Sequence, residues 1–140
     1  MKSVVVDANV VLSFVTDRDP GQQRSAARLF EQAAAGGIRI VLLQAVLVEI
    51  VYVLQNLYRT PAARVAALLG DLLAMPRVVA HDEVPWHRVL EIWPSRVRDV
   101  ADAVLVTVAR AGDHSVASFD RKLKRALRGL AVASHPLRGR

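Results

Sequence analysis

Four short, mostly apolar runs, at residues 3–6, 38–43, 77–80 and 115–118, are separated by stretches long enough to form helices. That alternation constrains the fold more than any other feature. The runs are apolar at successive positions and not only at every second one, the pattern of strands covered on both faces. Such strands, separated by helical sequence, build a parallel sheet, because parallel neighbours need a crossover between them. A weaker fifth run lies at 130–133. The expected fold class is α/β: three layers, with a central parallel sheet of about five strands and helices on both faces.

Local signals mark the helices. Asp19 followed by Pro20 is an N-cap with proline at the first helical position, and Gly36-Gly37 ends that helix near residue 35. Residues 45–57 have helical length and apolar spacing. Thr60-Pro61 repeats the cap-and-proline signal and opens a helix to about residue 74. Residues 83–93 are helical up to Pro94, residues 99–111 form a strongly apolar helix ending at Gly112, and residues 121–127 form a basic one.

At 140 residues the chain is expected to be one domain, 1–140, large enough for a full hydrophobic core. It has no cysteine, which excludes disulfides, thiolate zinc sites and cysteine nucleophiles. The opening MKSVVVDANV has too short an apolar stretch and too early an acid for a signal peptide, so a cytoplasmic location is expected. The best membrane candidate, residues 38–58, carries Arg39, Gln44, Glu49, Gln55 and Asn56. A span needs roughly 20 mostly apolar residues, so no membrane association is expected. The 19 basic residues, 16 of them Arg, outnumber 13 acids and leave a net charge of +6. Guanidinium groups grip phosphate oxygens in pairs, which suits a phosphate-bearing partner; a merely solubilising surface has the same composition.

In open α/β sheets functional groups collect at the carboxyl ends of the strands. The acids fall there. Asp7 directly follows the first strand, and Asp120 comes just after the fourth. Glu49 lies one turn into the helix after the second strand, inside VLVEIVYVL, and is expected to be buried among valines. Asp102 lies one turn into the helix 99–111, with Asp99 three residues earlier on the same side. Those apolar stretches contain no Lys or Arg to neutralise the acids. Carboxylates brought together in this way are most simply relieved by one or two hard divalent cations, Mg²⁺ or Mn²⁺. Each acid also has a local alternative. Asp7, Asp99 and Asp120 stand where helix N-caps stand, and Glu49 and Asp102 would pair with Arg96 or Arg98 if the fold brought them together.

Other chemistries lack their residues. The histidines at 81, 87, 114 and 135 show no ligand spacing and read as surface or loop residues. No glycine-rich phosphate loop or Gly-x-Ser-x-Gly elbow occurs. In DANV, Asn9 stands where a haloacid-dehalogenase-type Asp-x-Asp motif needs its second aspartate.

Taken together, VVVDANV, AVLVEIVYVL, DVADAVLVTVARAG and ASFDRKL resemble the PIN-domain family, and within it the VapC-type toxins of bacterial toxin–antitoxin pairs. The resemblance runs over nearly the whole chain and implies a single PIN domain. It resides in the ordered set of motifs, since a strand ending in Asp is common. It assigns Asp7, Glu49, Asp102 and Asp120 as the catalytic and metal-holding acids, with Asp99 as an accessory acid. Ser118 stands in the family's "hydroxyl-Phe-Asp" motif, where threonine is commoner. Asn9 corresponds to a polar position beside the first acid, supporting it from outside the metal shell or capping a helix.

The implied activity is a Mg²⁺- or Mn²⁺-dependent endoribonuclease. In that chemistry the metal activates a water and stabilises charge on the scissile phosphate, leaving a 5′-phosphate and a 3′-hydroxyl. Arg96, Arg98, Arg121, Lys122, Lys124 and Arg125 would hold the RNA backbone, or form only a solvated face. The implied partners are RNA, a VapB-type antitoxin blocking the acidic pocket, and a second copy in a homodimer. Leu54, Leu57, Tyr58, Leu68 and Leu72 supply apolar helix surface for such contacts or for the core. Two other readings share the acids. One is a catalytically silent PIN-fold module binding RNA or protein, whose mark would be missing acids. The other is a small-substrate phosphohydrolase, which needs a nucleophilic aspartate with a nearby acid/base and a lysine, none of them evident.

Overall fold

The computed structural model of the chain describes residues 1–81 and 83–137. Four parallel strands form one sheet: β1 (Lys2–Val6), β2 (Ile38–Leu43), β3 (Val78–His81) and β4 (Ser115–Ala117), in the order β3-β2-β1-β4. Among the described residues there are seven helices: α1 (Ala8–Val15), α2 (Pro20–Ala34), α3 (Gln44–Asn56), α4 (Ala62–Ala74), α5 (Trp86–Ile92), α6 (Val100–Gly112) and α7 (Arg121–Gly129).

Crossover handedness places the layers. The chain steps from β1 to β2 to β3 in one direction, so right-handed connections put α1 to α4 on one face. The return from β3 to β4 runs the other way and puts α5 and α6 on the opposite face. The packing agrees: α1 lies on α2 and α3, α3 on α4, while α5 pairs with α6, which rests on β1 and β4. Both faces of the sheet are thereby covered. That is why Val4, Val5 and Val6 are all fully buried although they point alternately up and down. The stepping direction reverses between β1 and β4, and α/β sheets hold their ligands in the crevice at such a reversal.

The expected fifth strand is not formed. Leu130 and Val132 are buried, but their amides close the end of α7, bonding to Ala126 and Leu127 carbonyls. The chain then meets the sheet at one parallel bridge, Ser134 to Val116, beside a β4 only three residues long. Conversely, residues 8–15 carry no helix signal beyond a possible cap at Asp7, yet they form α1. Its valines favour strands; burial of Ala8, Val10, Val11 and Leu12 decides otherwise. α5 starts only at Trp86, after Pro85, and α4 starts one residue later than its signal, at Ala62. α2 ends as expected at Gly36, whose φ is 89°. There Arg77 Nη1 donates to the Ala33 carbonyl at 3.3 Å, a second closure of the helix.

His135 is not a surface residue. It is buried, and its Nε2 lies 3.1 Å from Gln32 Oε1. His114 is half-buried before β4, and His81 ends β3. Among the described residues no helix is long and apolar enough to cross a membrane.

Candidate active site

The five acids singled out from the sequence line one pocket, of about 150 Å³, at the carboxyl edge of the sheet. Asp7 enters from the end of β1, Glu49 from the second turn of α3, Asp99 and Asp102 from the start of α6, and Asp120 from the start of α7. Asn9, Leu43, Val46, Val104 and Leu105 complete the wall with two alanines, Ala45 and Ala101, whose small side chains leave the space open.

Glu49 is less buried than its sequence surroundings suggest. Val46, Ile50 and Leu54 form the buried stripe of α3, at spacing i, i+4, i+8, and Glu49 flanks it, half-buried. The intervening Val48 and Tyr52 are 68% and 64% exposed, so the apolar run is not a buried one. Leu54 and Leu72 likewise belong to the core, whereas Leu57 and Tyr58 are exposed.

Asp7 is 8% exposed and occupies the N-cap position of α1, but its side chain makes no capping bond. Its partner is Ser118, whose Oγ donates to Asp7 Oδ2 at 2.8 Å. The same Oγ accepts from the Asp120 amide at 2.9 Å. One hydroxyl thus ties the turn after β4 to the acid after β1, across the reversal point. Asp120 and Asp99 do cap their helices, accepting from the amides of Lys122 at 2.9 Å and of Asp102 at 3.1 Å. Capping and pocket lining coexist, because each cap bond engages one carboxylate oxygen.

The electrostatics are those of crowded, uncompensated acids. Burial raises the pKa of Asp7, with Asp120 adding to the effect; the Ser118 hydroxyl and, more weakly, the nearby Ala8 and Asn9 amides pull the other way without closing a capping bond. Glu49 is raised by burial, then by the charges of Asp7 and Asp99. Asp102 is pushed up to about 7, first by burial and then by Asp99, Asp7, Asp120 and Glu49. Among the described residues, the charges that shift Glu49 and Asp102 are those of neighbouring carboxylates. Arg96 instead donates to the Gly129 carbonyl at 3.1 Å, at the far end of α7.

Hard carboxylate oxygens without a neutralising cation are the donor set of Mg²⁺ or Mn²⁺. Among the described residues no three acid or histidine side chains stand together as a finished metal cage. Unneutralised carboxylates repel one another, and Mg²⁺ keeps several of its waters and needs only one or two direct carboxylates. The residues present fit such an ion.

The basic residues are brought to the pocket unequally. Arg121 and Lys122 are exposed on the first turn of α7, directly after Asp120; Arg125 follows on the side of α7 away from buried Leu123 and Leu127, and Lys124 is half-buried beside them. Arg98 is exposed beside Asp99. Asn9 caps no helix. It is exposed on the first turn of α1, where its carbonyl and Oδ1 accept from Arg18 Nη2 at 3.1 and 3.4 Å. Arg18 also reaches Ser13 Oγ at 3.2 Å, so a guanidinium is held beside the pocket wall. Its sequence position, in a loop ahead of Asp19-Pro20, carries no signal for that contact.

The sequence profile of the PIN domain matches residues 4–128, and the chain belongs to that family. Among curated proteins none matches the chain by sequence. Solved structures share the fold. VapC20 of Mycobacterium tuberculosis, a sarcin-ricin-loop cleaving toxin, aligns with a TM-score of 0.66 at 20% identity, over 88% of this chain and 94% of its own. A Pyrobaculum aerophilum protein aligns with a TM-score of 0.64 at 18% identity, over 89% and 79%. FitAcB of Neisseria gonorrhoeae gives 0.65 at 17% identity, over 95% and 96%.

Proposed function

We propose that this PIN domain is a Mg²⁺- or Mn²⁺-dependent endoribonuclease, the VapC-type toxin of a toxin–antitoxin pair. The observation that carries the reading is the pocket itself: acids from β1, α3, α6 and α7 converge on one space, and Asp99, Asp7, Asp120 and Glu49 all raise the pKa of Asp102. Asp7, Glu49 and Asp102 would hold the ion, with Asp99 and Asp120 at its margin. Bound there, a divalent cation supplies activation of water and stabilisation of charge on the phosphate being cleaved.

The chain's own residues do the rest. Ser118 fixes the orientation of Asp7 and, through the Asp120 amide, the entry of α7. Arg121 and Lys122, and further along Lys124 and Arg125, present positive charge to a phosphate backbone entering the pocket, as does Arg98 next to Asp99. Exposed Tyr52, Leu57 and Tyr58 offer an apolar surface for an antitoxin or for a second copy of the chain.

The test is RNA cleavage by purified protein with and without Mn²⁺ or Mg²⁺, beside a generic phosphate ester. Structured ribosomal RNA belongs in the panel, since VapC20 cleaves the sarcin-ricin loop. The expected result is metal-dependent cleavage leaving 5′-phosphates, abolished in Asp7→Asn with the fold intact. RNA binding without cleavage would return the chain to a binding module. Turnover of the ester alone would make it a phosphohydrolase.

A further inference from the structure

The sheet has a second polar end. At the amino ends of β1, β2 and β4 lies a pocket of about 760 Å³, lined in part by Lys2, Ser3, Arg39, Arg110, His114 and Ser115. Lys2 and Asp7 bracket β1, about 16 Å apart at about 3.3 Å per residue. This pocket therefore lies at the opposite edge of the sheet from the acids. Among the described residues, three cationic side chains, Lys2, Arg39 and Arg110, and one acid, Asp113, line it.

Its donors are placed and unspent. Arg39 Nε and Nη2 both donate to Ser3 Oγ, at 3.3 and 3.1 Å, a neutral partner that orients the guanidinium without neutralising it. Arg110 stands exposed on the last turn of α6. Ser115 is 4% exposed, and its Oγ has no hydrogen-bond partner among the described residues; neither does His114 Nδ1. Burial, with His81 and Arg39 nearby, lowers the pKa of His114, so its ring is neutral near pH 7 and offers one donor and one acceptor.

We propose that this pocket binds a phosphate group, carried by a nucleotide or by a nucleic-acid strand, between Arg39, Arg110 and Lys2. Two guanidinium groups match paired phosphate oxygens, and the Lys2 ammonium adds a third positive charge on the same pocket wall. The volume exceeds what a lone ion needs. The site neither uses nor requires the acids of the other edge, and the inference stands apart from the ribonuclease reading.

Calorimetric titration in EDTA, with inorganic phosphate, 5′-AMP and a short RNA as separate probes, tests it. Wild type is compared with Arg39→Gln/Arg110→Gln; both residues are exposed, so the unliganded melting temperature serves as the folding control. Saturable binding of at least one probe is expected, weakened at least tenfold in the double variant. The ring resonances of His114 should move on binding, in Asp7→Asn protein as well. Preference for 5′-AMP would assign a nucleotide site, and preference for RNA a strand-binding site. The proposal is overturned by no saturable binding of any probe, by a loss under tenfold in the double variant, or by His114 resonances that stay fixed.

Discussion

Ser118 connects two of the acids through a single hydroxyl, and its removal is the most informative change at the scale of one residue. Ser118→Ala strips Asp7 of its donor and leaves the Asp120 amide without its acceptor. Groups that orient metal-holding residues typically matter by about 10–100-fold in activity or metal affinity, and that loss is expected here. Ser118→Thr should restore activity, because the hydroxyl is retained. Wild-type activity in Ser118→Ala would remove the orienting role. The paired acids of α6 separate in a similar way. Asn caps helices as well as Asp does, so Asp99→Asn keeps the start of α6 and removes only charge. Asp102→Asn should cost far more activity than Asp99→Asn in cleavage assays; equal losses would show that the ion is shared evenly between them. Glu49→Gln removes one repelling charge, and the metal-free variant should melt at or above the wild-type temperature. A partner arginine would instead make the change cost about 3–5 kcal/mol; among the described residues the charges that raise Glu49 are those of Asp7 and Asp99.

At the scale of an element, α7 is the clearest case of one helix with two jobs. Leu123 and Leu127, one turn apart, fix it to the core, and its basic residues occupy the remaining faces. Its first turn is anchored at the acid pocket by the Asp120 cap. If α7 guides RNA, the logarithm of affinity should fall steeply with the logarithm of salt concentration, since each neutralised phosphate releases counterions. Replacing Lys122, Lys124 and Arg125 together by Ala should flatten that slope by up to about three units, measured on Asp7→Asn protein to prevent cleavage. An unchanged slope would make them a solvated face. Arg96, tied to the Gly129 carbonyl at the other end of α7, should contribute little to the slope.

At the scale of the molecule, the acid pocket should make stability depend on pH and, if it holds the proposed ion, on metal as well. Asp102 keeps its proton up to about pH 7 in the folded chain, but only to about pH 3.9 when unfolded. Folding takes up a proton between those values. The stabilisation this gives is complete below about pH 4 and is lost as pH rises through about 7. The raised pKa values of Asp7 and Glu49 act in the same direction. His114 and His135, lowered by burial, act oppositely, destabilising the fold as pH drops. The difference between wild type and Asp102→Asn therefore isolates the effect. In metal-free melts the variant should gain on the wild type steadily from about pH 5 to about pH 8. Mg²⁺ or Mn²⁺ should raise the wild-type melting temperature more at the upper end, where the carboxylates are ionised to receive it. A metal-induced shift independent of pH would contradict the protonation of Asp102.

Most of the architecture was legible in the sequence because it rests on local and periodic properties. Continuous apolar runs declare doubly covered strands wherever they lie, and Asp19-Pro20 or Gly36 declare a helix end through backbone geometry alone. The acids could be placed at the carboxyl edge because a residue following a strand has nowhere else to go. The errors lie where sequence neighbours differ from spatial ones. The valines of α1 favour strands, and only packing against the sheet and its neighbouring helices made them helical. The run after α7 carries a strand's composition but spends its amides closing a helix. Glu49 is half-exposed in an apolar run because an α-helix turns one side of any run outward. The Ser118 link joins residues 111 positions apart, and the grip of Arg18 on Asn9 depends on a loop folding back over α1. Residue types and periodicity determined which elements form and which edge the acids share. Only the tertiary structure decided how those acids are oriented, what they feel and what holds them, because hydrogen bonds and charge interactions act through space and not along the chain.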